Sequence, residues 1–308
     1  MSEPKMQCTF NAFILEKWET FIDVNAGSKG TYTKAVKQFI KYLAARGITQ
    51  PLREDIITWR ETLKLKLKAT TIQTYLIAVK LFFRWLEQEN LYKNIAENVK
   101  NVRVEAGHKK DCLTSEQSRN ILQTIKTDTL KGLRDYAIIS LMLTTGLRTV
   151  EVTRADVADI RSVNGSTVLF IQGKGRDEKA EYVKLVPQVE NAIMIYLNAR
   201  GEIRDTEPLF ASISNNNKGG RITTRSVREV AKQAMIQAGY NSDRLTAHSM
   251  RHTAGTLALL NGANIRDVQQ LLRHSNINTT LIYAHEIERA QNNAEFKIAN
   301  AIFNINIK

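Results

Sequence analysis

The chain lacks the long apolar run of a membrane protein. No stretch approaches the roughly 18 consecutive apolar residues of a transmembrane helix, and the opening "MSEPKMQCTF" carries no apolar signal-peptide region. A soluble, intracellular and cytoplasmic protein with no membrane partner is therefore expected. Cysteine is nearly missing: Cys8 and Cys112 stand far apart, without a CxxC or metal-ligand spacing, and read as incidental thiols of a reducing compartment. Histidine is scarce as well, with five residues in 308. There is no internal repeat and no low-complexity segment, and a content of 43% hydrophobic residues excludes general disorder.

What the sequence has in excess is positive charge. A formal net charge of +13 and a pI near 9.7 ask for a polyanionic partner. Nucleic acid is the commonest one, and an anionic membrane surface is the alternative. The first 110 residues hold nineteen Lys and Arg against eleven Asp and Glu, so over half of the net charge lies in about a third of the chain. Any single lysine there could belong to an ordinary solvated helix face; the block as a whole reads as a DNA-facing surface.

A length of 308 residues suggests two domains. The division falls at "KNVRVEAGHKKDCLTSEQ", where apolar periodicity stops and Thr114 and Gln117 are spaced as a capping box opening a new helix. This gives an N-terminal domain over 8–105, a linker over 106–112 and a second domain over 113–308. Upstream, Phe10, Phe13, Ile14, Trp18, Phe21 and Ile22 fall at helical spacing, as do Tyr32, Val36, Phe39, Ile40 and Leu43. A third helix is expected from about Pro51 to Leu63, and a fourth carries Ile72, Tyr75, Leu76, Val79, Phe82, Phe83 and Leu86 on one face. Downstream, one helix should end at Gly146 and a short one follow. The pair Asn164-Gly165 signals a hairpin, and "STVLFI" and "AEYVKLV" read as strands joined by "GKGRDE". Helices resume at Pro187, around Thr223 to Ala238, and from residue 246 almost to the C-terminus. The fold class is mainly α with one small antiparallel β-sheet (α+β).

The stretch "TAHSMRHTAG" (246–255) puts His248, Arg251 and His252 within five positions at a helix start. Two histidines four apart can bind zinc when a third ligand and a general base accompany them. Here Ser249 follows His248 where a zinc protease has Glu, and Arg251 would repel a cation. An anion fits better, because a helix N-terminus presents unpaired N–H groups and an arginine adds a planar fork matched to phosphate oxygens. A structural hydrogen bond or a surface pair is the bland alternative. Further along, "LLRHSNINTTLIYAHE" supplies His274 and then Tyr283. Upstream, "TTGLRTVE" supplies Arg148 and Glu151, and the hairpin turn "GKG" supplies Lys174.

In that order, these motifs resemble those of the tyrosine recombinase (phage integrase) family over almost the whole chain. "TGLRTVE", "GKG", "HSMRHT" and "LLRHSNINTTLIYAH" are each similar to a family motif at its expected place. The resemblance implies a helical core-binding domain, a catalytic domain, and site-specific breakage and rejoining of double-stranded DNA through a covalent 3′-phosphotyrosine. The biological task implied is integration and excision of a mobile element or resolution of DNA dimers. Tyr283 would be the nucleophile, with Arg148 and Arg251 clamping the non-bridging phosphate oxygens. Lys174 would protonate the departing 5′ oxygen, Lys179 in the same hairpin being its competitor. His248 and His274 would hydrogen-bond the phosphate, and Glu151 and His252 would support the others. No metal and no other cofactor is implied. Relatives assemble as tetramers on DNA and pass a C-terminal helix to a neighbour. Ile287, Ala290, Ala294, Ile298, Ala301 and Ile302 fall at mostly helical spacing that would suit such an exchange. The lack of an additional N-terminal arm-binding domain points to simple recombination sites. Two residues depart from the pattern: Met250 stands where the family has leucine, and Arg273 where it has glycine, so that either Arg273 takes a helical or strained conformation or the loop is shaped differently and the arginine gains a phosphate contact. Two other classes compete, a non-catalytic DNA-binding regulator and a type IB topoisomerase.

Overall fold

The computed structural model describes residues 10, 12–104, 111–173, 176 and 178–303. It divides into two compact units, one up to Ala106 and one from Gly107.

The first unit is helical: α1 (Ala12–Phe21), α2 (Ala26–Ala45), α3 (Arg53–Lys64) and α4 (Ala69–Gln88). Local chemistry sets the boundaries. Asn25 caps α2 by accepting the Ser28 amide at 3.0 Å, and Gly47 turns the chain beyond its end with φ +66°. The Asp55 carboxylate accepts the Leu52 amide at 2.7 Å and so opens α3. The seven apolar residues assigned to one face of α4 are all buried, and with Trp18, Phe39 and Trp59 they build an aromatic core. Phe39 and Trp59 meet edge-on with centroids 5.0 Å apart. The periodicity of α1 is the exception. Phe13 and Phe21 are 68% and 63% exposed, because a ten-residue helix packed on one side turns only Leu15, Trp18 and their partly buried neighbours inward.

The second unit follows the order α5 (Ser115–Thr124), α6 (Leu130–Thr145), α7 (Thr149–Arg154), β1 (Ile160–Val163), β2 (Ser166–Ile171), β3 (Glu181–Lys184), α8 (Pro187–Arg200), α9 (Thr224–Gln237), α10 (Ala247–Leu260), α11 (Ile265–Leu272), α12 (Asn278–Gln291) and α13 (Ala294–Phe303). The capping box at α5 forms as the spacing implied: Thr114 Oγ1 accepts the Gln117 amide and Gln117 Oε1 accepts the Thr114 amide. The sheet is antiparallel in the order β1-β2-β3. Asn164-Gly165 joins β1 to β2 with Val163 opposite Ser166, and Ile171 lies opposite Glu181 in the second pair. Strand β1 was not singled out in the sequence, since Ile160–Val163 offers only four residues and half-exposed side chains. The expected fold class, mainly α with one small antiparallel sheet, holds.

Helix α6 runs through the middle of this unit's core, packed on α8 and α10. It stops at Gly146, whose φ of +61° needs no side chain. A Cβ there would also stand 2.6 Å from Leu272 Cδ2. Gly146→Ala should therefore be destabilised by about 1–2 kcal/mol for the left-handed backbone alone, with the overlap adding to it. Denaturant unfolding should show a lower midpoint at unchanged slope; an unchanged midpoint would contradict the reading of this turn.

Candidate active site

The turn at Gly146 delivers Arg148 to the N-cap of α7. Three residues on, Glu151 is fully buried and binds back on that arginine twice. Its Oε2 accepts the Arg148 amide at 2.7 Å, and its Oε1 accepts Arg148 Nη1 at 2.9 Å. A carboxylate at this position also complements the positive end of the helix. The result is an arginine held in place by its own helix start.

Helix α10 begins with a second capping arrangement, the Thr246 amide donating to Ser249 Oγ at 3.0 Å. This fixes the first two turns, which carry His248, Arg251 and His252. Arg251 is only 1% exposed. Its Nη1 donates to the Gly146 carbonyl at 2.6 Å, and its Nη2 donates to the Leu272 carbonyl. These carbonyls lie at the C-terminal ends of α6 and α11, where the helix dipole is negative, so the guanidinium joins two helix ends. Its pKa is pushed down to about 9, first by burial and then by the nearby Arg148 and Arg273, with Glu151 and Tyr283 opposing. A cation desolvated among like charges is one that an anion would stabilise.

Tyr283 projects from α12 and is 2% exposed, in a small cluster with Val268 and Leu272 of α11. Its ring centroid lies 5.3 Å from His252 and 6.4 Å from His274, the latter nearly parallel. His248 extends the set outward, with its ring 4.5 Å from that of His252. Gly255 makes this close packing possible, since a Cβ there would come within 2.8 Å of Leu272 Cδ1 and 3.6 Å of Tyr283 Cε1. Burial pushes the Tyr283 phenol up to about 12, although Arg251 and Arg148 pull it down. In the DNA-free protein the hydroxyl therefore stays neutral. His274 is oriented by the helices on either side of it: Nδ1 is 2.9 Å from Thr280 Oγ1 of α12, and its amide donates to the Gln269 carbonyl of α11 at 3.1 Å.

Seven of the eight residues picked from sequence are thus brought together around Arg251 and Tyr283: Arg148, Glu151, His248, Arg251, His252, His274 and Tyr283. The eighth, Lys174, lies outside the described residues. Its neighbour Gly173 accepts from Arg154 Nη1 at 3.0 Å, which attaches that arm of the hairpin to the end of α7. Lys179 is held by two carboxylates, with Nζ 2.6 Å from Asp156 Oδ2 and also paired with Asp159. Among the described residues no group of three His, Cys, Asp or Glu side chains is placed to hold a metal ion.

Sequence reasoning missed two participants. Thr280 is fully buried, and the spacing that sets it six residues after His274 gives no hint of their contact. Arg273 takes the strained conformation that the sequence left open, and its contact with Glu151 is what the sequence does not show. The chain keeps the left-handed turn without glycine, at φ 52° and ψ 47°, and the guanidinium points inward, Nη2 lying 3.0 Å from Glu151 Oε2.

The family model described as "Phage integrase family" matches residues 111–289, and "Phage integrase, N-terminal SAM-like domain" matches residues 18–90. Tyrosine recombinase XerC of Herpetosiphon aurantiacus is 28% identical over 283 residues, covering 88% of this chain and 90% of that protein. The XerH site-specific recombinase in a post-cleavage complex with its palindromic difH substrate shares the fold with a TM-score of 0.72. It is 22% identical, with 90% of this chain and 83% of that one covered. A lambda integrase tetramer bound to a Holliday junction gives 0.67 at 15% identity, covering 88% and 76%. No helix among the described residues is long and apolar enough to cross a membrane. With more than half of its length matched by the family model, and with the arginines, histidines and tyrosine of its motifs gathered at one place, the chain belongs to the phage integrase family.

Proposed function

We propose that this protein is a site-specific DNA recombinase that cuts and rejoins double-stranded DNA through a 3′-phosphotyrosine, for integration and excision of a mobile element or for resolution of DNA dimers. The observation that carries the reading is the enclosure of Tyr283 by Arg251, His252 and His274, with Arg148 held alongside by Glu151.

The chemistry follows from these groups. Tyr283 Oη attacks the phosphorus and passes its proton to the neighbouring histidines, His248 assisting. The bond from phosphorus to the 5′ oxygen breaks, and that oxygen takes a proton from Lys174. The phosphate remains joined to Tyr283 and to the 3′ end of the cut strand. Attack by another strand's 5′ hydroxyl reverses the steps and frees Tyr283, so the energy of the phosphodiester is kept. The pentavalent phosphorus carries extra negative charge on its non-bridging oxygens. Arg148 and Arg251 neutralise it, the part played by a metal in many phosphoryl-transfer enzymes. Incubation with a duplex nicked near the cleavage point traps the intermediate, and appearance of a protein-DNA adduct on a denaturing gel tests the proposal.

The basic helical unit, within residues 8–105, serves as the core-binding domain in this reading, and the recombining assembly is a tetramer on two sites. Helix α13 is the assembly element. None of its described side chains is buried, and Phe296, Ile298, Ile302 and Phe303 are all large, apolar and exposed. Such a helix gains by packing on a neighbouring protomer. Deletion of residues 296–308 should leave folding and single-site binding intact and reduce synapsis and strand exchange, as read on native gels with two-site DNA. Recombination by the truncated protein at the full-length rate would exclude α13 from assembly.

A further inference from the structure

Arg273 occupies a left-handed helix cap where glycine would be unstrained, and nothing about the turn itself calls for an arginine. The side chain is 6% exposed, so a long cation has been taken out of water at a position with a backbone cost. Its contacts are specific. Nη2 donates to Glu151 Oε2 at 3.0 Å, and Nη1 donates to the Leu271 carbonyl at 2.6 Å. The same Glu151 oxygen accepts the Arg148 amide, and the other accepts the Arg148 guanidinium. One buried carboxylate is therefore shared by two arginines, with Arg251 in the same electrostatic neighbourhood.

The charge balance of this group changes with Arg273. Arg148, Arg251 and Glu151 alone sum to +1, whereas with Arg273 they sum to +2. A lone Arg148 paired to Glu151 would have its charge largely cancelled by its own positioning group. With Arg273 on Oε2, the oxygen not bound by the Arg148 guanidinium, Glu151 still orients Arg148 while its negative charge is offset. Resting on the recombinase reading above, we propose that Arg273 is a positioning residue for strand cleavage, acting through Glu151 to leave Arg148 available to a phosphate.

The test compares Arg273→Gly, Arg273→Lys, Glu151→Gln and Glu151→Gln/Arg273→Gly in single-turnover cleavage of a nicked duplex at saturating protein, with duplex affinity and Tm measured on the same samples. Arg273→Gly should cleave about tenfold more slowly, the scale of one charge-assisted hydrogen bond. Its duplex affinity should be unchanged, and its Tm reports the balance between relief of the left-handed cap and loss of the donor to Glu151 and the Leu271 carbonyl. Arg273→Lys should recover part of the rate. In the Glu151→Gln background the same change should cost little more, because the carboxylate through which it acts is gone. Cleavage by Arg273→Gly at the wild-type rate, or an equal loss in both backgrounds, would overturn the proposal. If Arg273→Gly proves unstable, Arg273→Lys decides on the same two criteria. Wild-type protein that forms no adduct at all would instead overturn the recombinase reading.

Discussion

Tyr283→Phe should bind duplex DNA as the wild type does and form no covalent adduct. The substitution removes one oxygen from a ring that is 2% exposed and leaves its packing against Val268, Leu272 and Gly255 unchanged. It takes no charge from a surface whose affinity for DNA is set mainly by Lys and Arg contacts to phosphate. What it removes is the only atom at that position able to displace the 5′ oxygen. The fall in adduct formation is therefore complete, while salt-dependent binding should overlay that of the wild type. The phenol is held neutral by burial, with a pKa of about 12 against an ordinary value of 10.0. A phosphate placed against Arg148 and Arg251 changes that environment and offers the proton a route out. Adduct seen on a gel with Tyr283→Phe would remove the residue from its assigned role.

Loss of a phosphate-binding arginine comes next in size. Arg251→Ala and Arg148→Ala should each slow cleavage by roughly 10²- to 10³-fold or more, the effect of removing one preorganised donor aimed at developing charge. Arg251 has a structural part as well, since it donates to the Gly146 and Leu272 carbonyls from a nearly unexposed position. Truncation there leaves two buried acceptors without that donor and should lower Tm. Arg251→Lys separates the two effects: it keeps the positive charge, loses the planar fork, and should fall between wild type and Arg251→Ala in cleavage. Arg148, held through Glu151 among the described residues and partly exposed, should lose cleavage with little change in Tm. Because the arginines supply the positive charge, wild-type cleavage should persist in excess EDTA. Activity abolished by chelator and restored by zinc would return His248 and His252 to the role of metal ligands.

The sequence was most legible where a local rule governs the backbone. Thr114 and Gln117 open α5, Gly146 stops α6, and Asn164-Gly165 turns β1 into β2, each within reach of its own neighbours. The buried face of α4 follows directly from a 3.6-residue period. Spacing alone does not settle burial where a helix is too short to average out its surroundings: Phe13 and Phe21 share the spacing of core residues and face solvent. Candidate site residues were found because a few polar types recur in a fixed order, which says which side chains matter but not how they touch. The contact of Thr280 with His274 and the turn of Arg273 toward Glu151 depend on the path of a loop between two helices. Lys179 shows the same limit from the other side: its two carboxylate partners, Asp156 and Asp159, lie 23 and 20 positions away, and the sheet brings them to it.

The central claim is that Tyr283 becomes joined to the 3′ end of a cut strand. Its most direct measurement is the digestion of a trapped adduct, formed in the presence of EDTA, followed by mass spectrometry of the DNA-bearing peptide and end analysis of the released strand. The account predicts a phosphate bridging Tyr283 and a 3′ nucleotide, with a free 5′ hydroxyl on the other strand end. Attachment at any other residue, or through a 5′ phosphate, would contradict it.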